Sequence, residues 1–384
     1  MKFRNRDVLQ TLGVTFTLII AISGCSPNPS SGVETPLYAA YPSSVASQDP
    51  TVDCGTSQNA SPPETSFALV ESVGTIAVSN EGLTLYRLGS TSANIIYPIA
   101  RGNSDARVKS IRWSPDGEKI SFVYQTSVNP LCKASYLMIA NLTKGSVKRL
   151  TSINDEDGPS SWSQDGHRVA FVNREGELLT IDVETGGVEV IDKVGVPGSS
   201  TDWVDDAIIA YVRFLSPGAD SEYELVGLNI QESTEEVLVS SPHSKALSNP
   251  GSFDITPDGR YLAYLNSGNV YIQDLRTGSS SNTYIDQGPE ELTWSLDSQV
   301  LVIRIGMAGV SYLTDLPSPT LFTTEITGLL GSQPWLPDGY EIVVSEGTDK
   351  AHSLRKCDLF TNDCTVLDFH YQPPYVWAVS PGRK

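Results

Sequence analysis

The sequence predicts an all-β chain built from four-stranded units set around a ring, and three observations carry that reading. First, a turn of the form Trp-Ser-Pro-Asp-Gly recurs at Trp113-Ser-Pro-Asp116-Gly117, Trp162-Ser-Gln-Asp165-Gly166, Trp203-Val-Asp-Asp206, Ile255-Thr-Pro-Asp258-Gly259, Trp294-Ser-Leu-Asp297 and Trp335-Leu-Pro-Asp338-Gly339. Second, these copies lie 49, 41, 52, 39 and 41 residues apart. That is the period of a four-stranded propeller blade, too long for ankyrin or leucine-rich units. Third, short apolar and β-branched runs follow each turn, with no sustained 3.6-residue period, so almost no helix is expected in the repeats. The fold class is therefore a β-propeller.

From the N-terminus, Lys2, Arg4 and Arg6 form a positive segment ahead of Leu12–Ile22, an apolar run too short for a stable membrane span. It ends in Ile22-Ser-Gly-Cys25, which resembles the lipobox of bacterial lipoproteins. That resemblance implies cleavage of residues 1–24 as a signal peptide and a diacylglyceryl group on the thiol of Cys25. Ser26 rather than Asp follows, which in a Gram-negative host implies the outer membrane, and otherwise the outer face of the cytoplasmic membrane. Residues 25–65 then read as a tether rich in Ser, Pro, Thr and Ala, with too few large apolar side chains to fold alone. As a flexible coil it reaches roughly 35 Å.

The repeat region, 66–384, opens with Gly74–Leu88, which aligns as strand, tight turn, strand with His167–Ile181. Asn94–Ala100 supplies an outer strand. This first unit lacks an inner strand, and Tyr375-Val-Trp-Ala-Val-Ser-Pro-Gly382 offers a spare one, cut off at its turn. The expectation is a composite closing blade, one strand from the C-terminus and three from the N-terminal part, giving seven blades with six as the fallback. Such closure removes the free sheet edges on which chains aggregate. Within each repeat, Pro sets φ for the second turn position, Asp caps the turn through its side chain and Gly takes the left-handed conformation. The six turn aspartates are assigned to this local role. Trp is expected to be half-buried between neighbouring sheets, its N–H partnered.

Six copies of this grammar resemble the WD40-like repeat of the TolB type, also seen in the propellers that cap prolyl-oligopeptidase and tricorn-type proteases. The resemblance implies a WD40-like propeller over nearly all of the mature chain. Two departures bear on activity. Residues 26–65 are too short and polar for the α/β domain that precedes a TolB propeller, and no Gly-x-Ser-x-Gly elbow of a hydrolase occurs.

Besides Cys25, four cysteines remain, allowing three pairings. Cys357 and Cys364 flank the hairpin joining the last two strands of the sixth complete unit and are expected to face each other. Cys54 in the tether and Cys132 in the long loop 125–133 are then the second candidate pair.

The formal charge is −19, and loss of residues 1–24 removes three positive charges and one negative, leaving −21. Such a surface repels nucleic acid and anionic lipid headgroups. Acidic loops at Asp155, Glu156 and Asp157 and at Asp286, Glu290 and Glu291 are candidate contacts on the face that bears the connecting loops. No His-Glu-x-x-His, Cys-x-x-Cys or phosphate-binding Gly loop occurs. His243, His352 and His370 are expected in loops on one face. Resemblance to propeller-fold oligogalacturonate lyases, which bind a metal through His, makes them weak metal candidates, but no metal or other cofactor is expected because three or four converging ligands are needed.

The functional expectation is a lipid-anchored, extracytoplasmic, non-catalytic module that binds a protein, peptide or glycan in the cell envelope. The alternative is a hydrolase or lyase with its site at the central channel. Intact-mass analysis of the exported protein should find acyl groups on Cys25, and Cys25→Ser should abolish them; an unmodified amino end at Cys25 would exclude the lipobox reading.

Overall fold

The computed structural model describes residues 62–79, 82–90, 92–99, 106–129, 132–153, 158–193, 195–214, 223–239, 253–266, 268–285, 288–306, 309–316, 318–337, 340–348, 351–371 and 376–382. All lie in one compact unit, Val52–Lys384. Cys25, Cys54, Asp155, Glu156, Asp157, His243, Asp286, the signal segment and most of the tether lie outside them.

The described residues form an all-β propeller with no helix. A short strand, β1 (Thr65–Ser66), precedes three strands of the first unit, β2 (Thr75–Ser79), β3 (Gly82–Arg87) and β4 (Ala93–Pro98). Next come β5 (Arg107–Trp113), β6 (Lys119–Asn129), β7 (Cys132–Asn141) and β8 (Ser146–Ile153). The following unit holds β9 (Ser161–Trp162), β10 (Arg168–Val172), β11 (Leu178–Asp182) and β12 (Val188–Asp192). After it run β13 (Thr201–Trp203), β14 (Ile208–Phe214), β15 (Tyr223–Asn229) and β16 (Thr234–Val239). Then come β17 (Phe253–Ile255), β18 (Tyr261–Asn266), β19 (Asn269–Asp274) and β20 (Ser280–Tyr284). The next meander is β21 (Pro289–Trp294), β22 (Leu301–Ile305), β23 (Gly309–Thr314) and β24 (Thr320–Thr327). The chain finishes with β25 (Leu329–Trp335), β26 (Glu341–Thr348), β27 (Ala351–Asp358), β28 (Cys364–Tyr371) and β29 (Trp377–Val379).

Each meander is antiparallel, from an inner strand that ends at the Trp position to an exposed outer strand. The C-terminal β29 lies where the sequence placed it, pairing β2 through Ile76↔Val379, Ala77↔Ala378 and Val78↔Trp377. The count of separate blades differs from the seven expected. Hydrogen bonding divides the described strands into six sheets, one of them eight-stranded in the order β28-β27-β26-β25-β29-β2-β3-β4. A single parallel pairing, Gln333↔Ala378, makes that merger. Gly331 permits it, because a Cβ there would lie 2.6 Å from both the indole nitrogen and the carbonyl oxygen of Trp377. β1 adds a fifth strand to the sheet of β5–β8.

The core is divided among the interfaces between neighbouring meanders. One cluster packs Leu83, Leu85 and Tyr97 against Trp113, Ile120 and Phe122. Another packs Ile76 and Val78 of β2 against Val343 and Leu354, so the N-terminal unit is clasped between the following meander and the last. The tryptophans are more deeply buried than half: Trp113 is 0% and Trp203 2% exposed. Trp113 Nε1 donates to the carbonyl of Ala378 at 3.0 Å, Trp162 Nε1 to Ser121 Oγ and Trp294 Nε1 to the carbonyl of Asp254. The indole N–H groups of Trp203 and Trp335 have no partner among the described residues.

The turns behave as their chemistry requires. Asp116 Oδ1 accepts from Ser114 Oγ at 2.5 Å and from the amide of Glu118 at 2.9 Å, while Gly117 sits at φ +67°. In the worn copy the roles move by one residue. Asp205 caps the amides of Ala207 and Ile208, and Asp206 instead accepts from the amide of Asp165 in the preceding unit. The segment 125–133 is also not a long loop: β6 continues to Asn129 and β7 begins at Cys132.

Removal of residues 375–384 deletes β29, including the buried Trp377. Losing one buried Trp side chain costs about 3–5 kcal/mol, so the melting temperature should fall by on the order of 10 °C. A truncated form that melts within about two degrees of the full chain would show that β29 closes nothing.

Candidate binding site in the central channel

Side chains alternate along a strand, so when each Trp turns into an interface the residue before it turns the other way. In β5, β9, β13, β17 and β21 those residues are Arg112, Ser161, Asp202, Asp254 and Thr293, and all five line the central channel. The channel comprises a cavity of about 530 Å³ beyond the C-terminal ends of the inner strands and one of about 360 Å³ at their N-terminal ends. The same five residues and Ser332 border both, forming a waist between them.

Few backbone pairings join one inner strand to the next, and side chains take their place. Asp202 on β13 accepts from the amide of Ile255 on β17 at 2.9 Å, besides that of Trp203 at 2.9 Å. Asp254 on β17 accepts from the amide of Trp294 on β21 at 2.7 Å. Ser161 and Thr201 share a hydroxyl hydrogen bond of 2.8 Å. Gln333 on β25 clamps β5, its Oε1 accepting from the amide of Trp113 at 2.6 Å and its Nε2 donating to the Trp113 carbonyl at 3.2 Å. Arg112 Nη1 donates to the carbonyl of Ser332 at 3.0 Å.

Asp202 and Asp254 are hydrogen-bonded to each other. Burial, then the neighbouring charge of Asp202, holds Asp254 well above the ordinary carboxyl range, against the opposing pull of the Trp294 amide and Arg112. Burial also raises Asp202, opposed by the Ile255 and Trp203 amides and by Arg112. Two amides favour the charged form of Asp202 and one that of Asp254, so the shared proton resides on Asp254.

The wider opening is lined by the third residue of every turn but the one after Trp203: Pro115, Gln164, Pro257, Leu296, Pro337 and Pro381. The narrower one is acidic. Glu290 and Glu291, two expected contacts, line it and both grip Arg304, at 2.5 and 2.9 Å. The histidine expectation is corrected: His352 and His370 lie within β27 and β28, not in loops, because these strands run on to Ala351 and Tyr371. They oppose Tyr371 and Ser353, not each other. Among the described residues no three His, Cys, Asp or Glu side chains converge as metal ligands. Cys357 and Cys364 are joined by a disulfide across β27 and β28.

Sequence reasoning missed Arg112, Asp202 and Asp254. The available signal was the position before each Trp or its counterpart Ile255, which reads Arg112, Ser161, Asp202, Asp254, Thr293 and Pro334, polar in five of the six copies.

No protein-family model matches the chain, and no curated protein matches it. Among solved structures it is similar to the β-propeller domain of Cps50 (Swd1) from Myceliophteria thermophila, at 14% identity and TM-score 0.49 over 72% of this chain and 88% of that one. TolB from Acinetobacter baumannii is similar at 16% identity and TM-score 0.45, over 78% and 80%. A chain of a mitotic checkpoint complex is similar at 15% identity and TM-score 0.48, over 75% and 88%.

The shared proton makes a prediction. A carboxyl whose pKa is raised by folding adds stability fully present below its unfolded value, about pH 4, and lost as pH rises through the folded value. Asp254→Asn keeps an acceptor for the Trp294 amide and a donor for Asp202 without the titration. The variant should therefore gain in melting temperature over the wild type as pH rises from about 4 to 8, by roughly 2–4 °C for each kcal/mol. A gap independent of pH would exclude proton sharing.

Proposed function

We propose that this protein is a lipid-anchored, extracytoplasmic propeller that binds a protein segment at the proline-ringed mouth of its channel without catalysing a reaction. Prolines hold a fixed backbone and offer apolar surface without donors, so the mouth is rigid before any partner arrives, which lowers the entropy lost on binding. The cavity behind it, about 530 Å³, falls in the range of pockets that enclose small ligands or side-chain clusters. That combination is the observation on which the reading rests. The lipobox at Cys25 would supply the anchor and the tether the reach. The same reading takes the ring as seven units, since the eight-stranded sheet is two four-stranded meanders joined by one pairing.

The hydrolase or lyase alternative has one observation in its favour, the acid pair Asp202–Asp254, because carboxyls with divergent pKa values are a mark of acid–base sites. The carboxylates are engaged by the amides of Trp203, Ile255 and Trp294 and by each other, which fits a structural clamp better than an attacking base.

A photo-crosslinker at position 257 or 337, in the mouth, should capture a consistent partner in intact cells, and one at position 236, on the exposed outer strand β16, should not. Pro337→Asp should weaken that capture by about tenfold or more, the loss of roughly 1.4 kcal/mol. Capture equally efficient at position 236, or none at the mouth under several growth conditions, counts against the reading.

A further inference from the structure

We propose that the waist of the channel is an anion site, built on Arg112, that receives the free carboxylate of a peptide C-terminus entering through the proline-ringed mouth. The proposal deepens the binding function above and rests on it. A guanidinium carries five N–H donors. Among the described residues that of Arg112 makes one hydrogen bond, to the carbonyl of Ser332, and no ion pair; Asp202 and Asp254 act on it only as a field. The other arginine lining the channel is spent differently: Arg304, at the narrower opening, is gripped by two glutamates and also donates to the Gly306 carbonyl.

The acid pair does not consume the capacity of Arg112. Asp202 spends its oxygens on the amides of Trp203 and Ile255 and on Asp254, and Asp254 spends one on Trp294. Burial raises both carboxyls, Asp254 the more strongly, which lessens the negative charge facing an incoming anion. What remains unspent at the waist is donor capacity on a positive group, beside the hydroxyl-bearing Thr293, Ser161 and Ser332. Arg is the side chain whose planar fork matches a carboxylate with two parallel hydrogen bonds.

Direction of entry follows from the two openings. The narrower is lined by Glu290 and Glu291, which disfavour an anion passing between them. The wider has both polar and apolar walls, Asp297 among them, and its prolines suit the side chains of the last residues of a peptide. Gln164 at this rim makes no hydrogen bond among the described residues, and its amide offers a donor and an acceptor to a peptide bond. A fatty acid would leave that amide unused.

The test uses the purified mature protein in detergent and two pools of N-terminally fluorescein-labelled tetrapeptides of Leu, Val, Phe and Gly, one ending in the free acid and one in the amide. Fluorescence polarisation should show the acid pool binding on the order of ten- to a hundredfold more tightly, the ratio of one charge-assisted hydrogen-bond pair. Arg112→Gln should bring the two pools level. If that variant unfolds, the acid–amide comparison on the wild type decides alone. Equal binding of both pools overturns the anion site and leaves the mouth-binding function standing; binding of neither pool, with crosslinks still captured at position 257, also overturns it. Displacement of the acid pool by decanoate as strongly as by unlabelled acid peptide overturns the assignment to a peptide.

Discussion

Neighbouring inner strands meet around the channel with hardly any backbone ladder between them, and everything at the centre of the molecule depends on how that gap is bridged. Sheet edges turned towards a channel expose amides and carbonyls whose burial without partners is costly. Here short polar side chains cross the gap: Asp202 to Ile255, Asp254 to Trp294, Gln333 to Trp113. The tryptophans then fill the space behind each crossing, so polar satisfaction on one side of a strand and apolar burial on the other are set by adjacent residues. The period-two geometry of a strand ties the two together.

This explains what could be read from the sequence and what could not. Turn chemistry is local, so Pro115, Asp116 and Gly117 declare their roles within five residues, and the strands after the turns begin directly behind them. The placement of β29 beside β2 was legible because one unit lacked a strand and another segment had one over. The bridges were not legible, since an Asp before a Trp looks the same whether it reaches solvent or a strand about fifty residues away. Charge alone did not show how the acids are used. Glu290 and Glu291 stood out as an acidic pair, yet their partner Arg304 lies on the next strand, in a register that only pairing reveals. Strand ends failed in a similar way: β6, β7, β27 and β28 run longer than their apolar cores, carrying Cys132, His352 and His370 into sheet positions.

The waist concentrates the consequences of this plan. A ring that must be stitched by side chains places acids and donors at the channel wall, and a stitch made of two acids needs a proton to hold. Arg112 lies beside that stitch but is not part of it, its one hydrogen bond among the described residues reaching across to Ser332.

The splice of β29 onto β2 also sets an order of events. Strand β2 emerges about 300 residues before its partner, a wait of roughly 15 to 60 s at ordinary synthesis rates. Until Trp377–Val379 arrive, the first unit has an open flank and the circle has no last link. A chain made in this order acquires its final rigidity only once its last residues are in place.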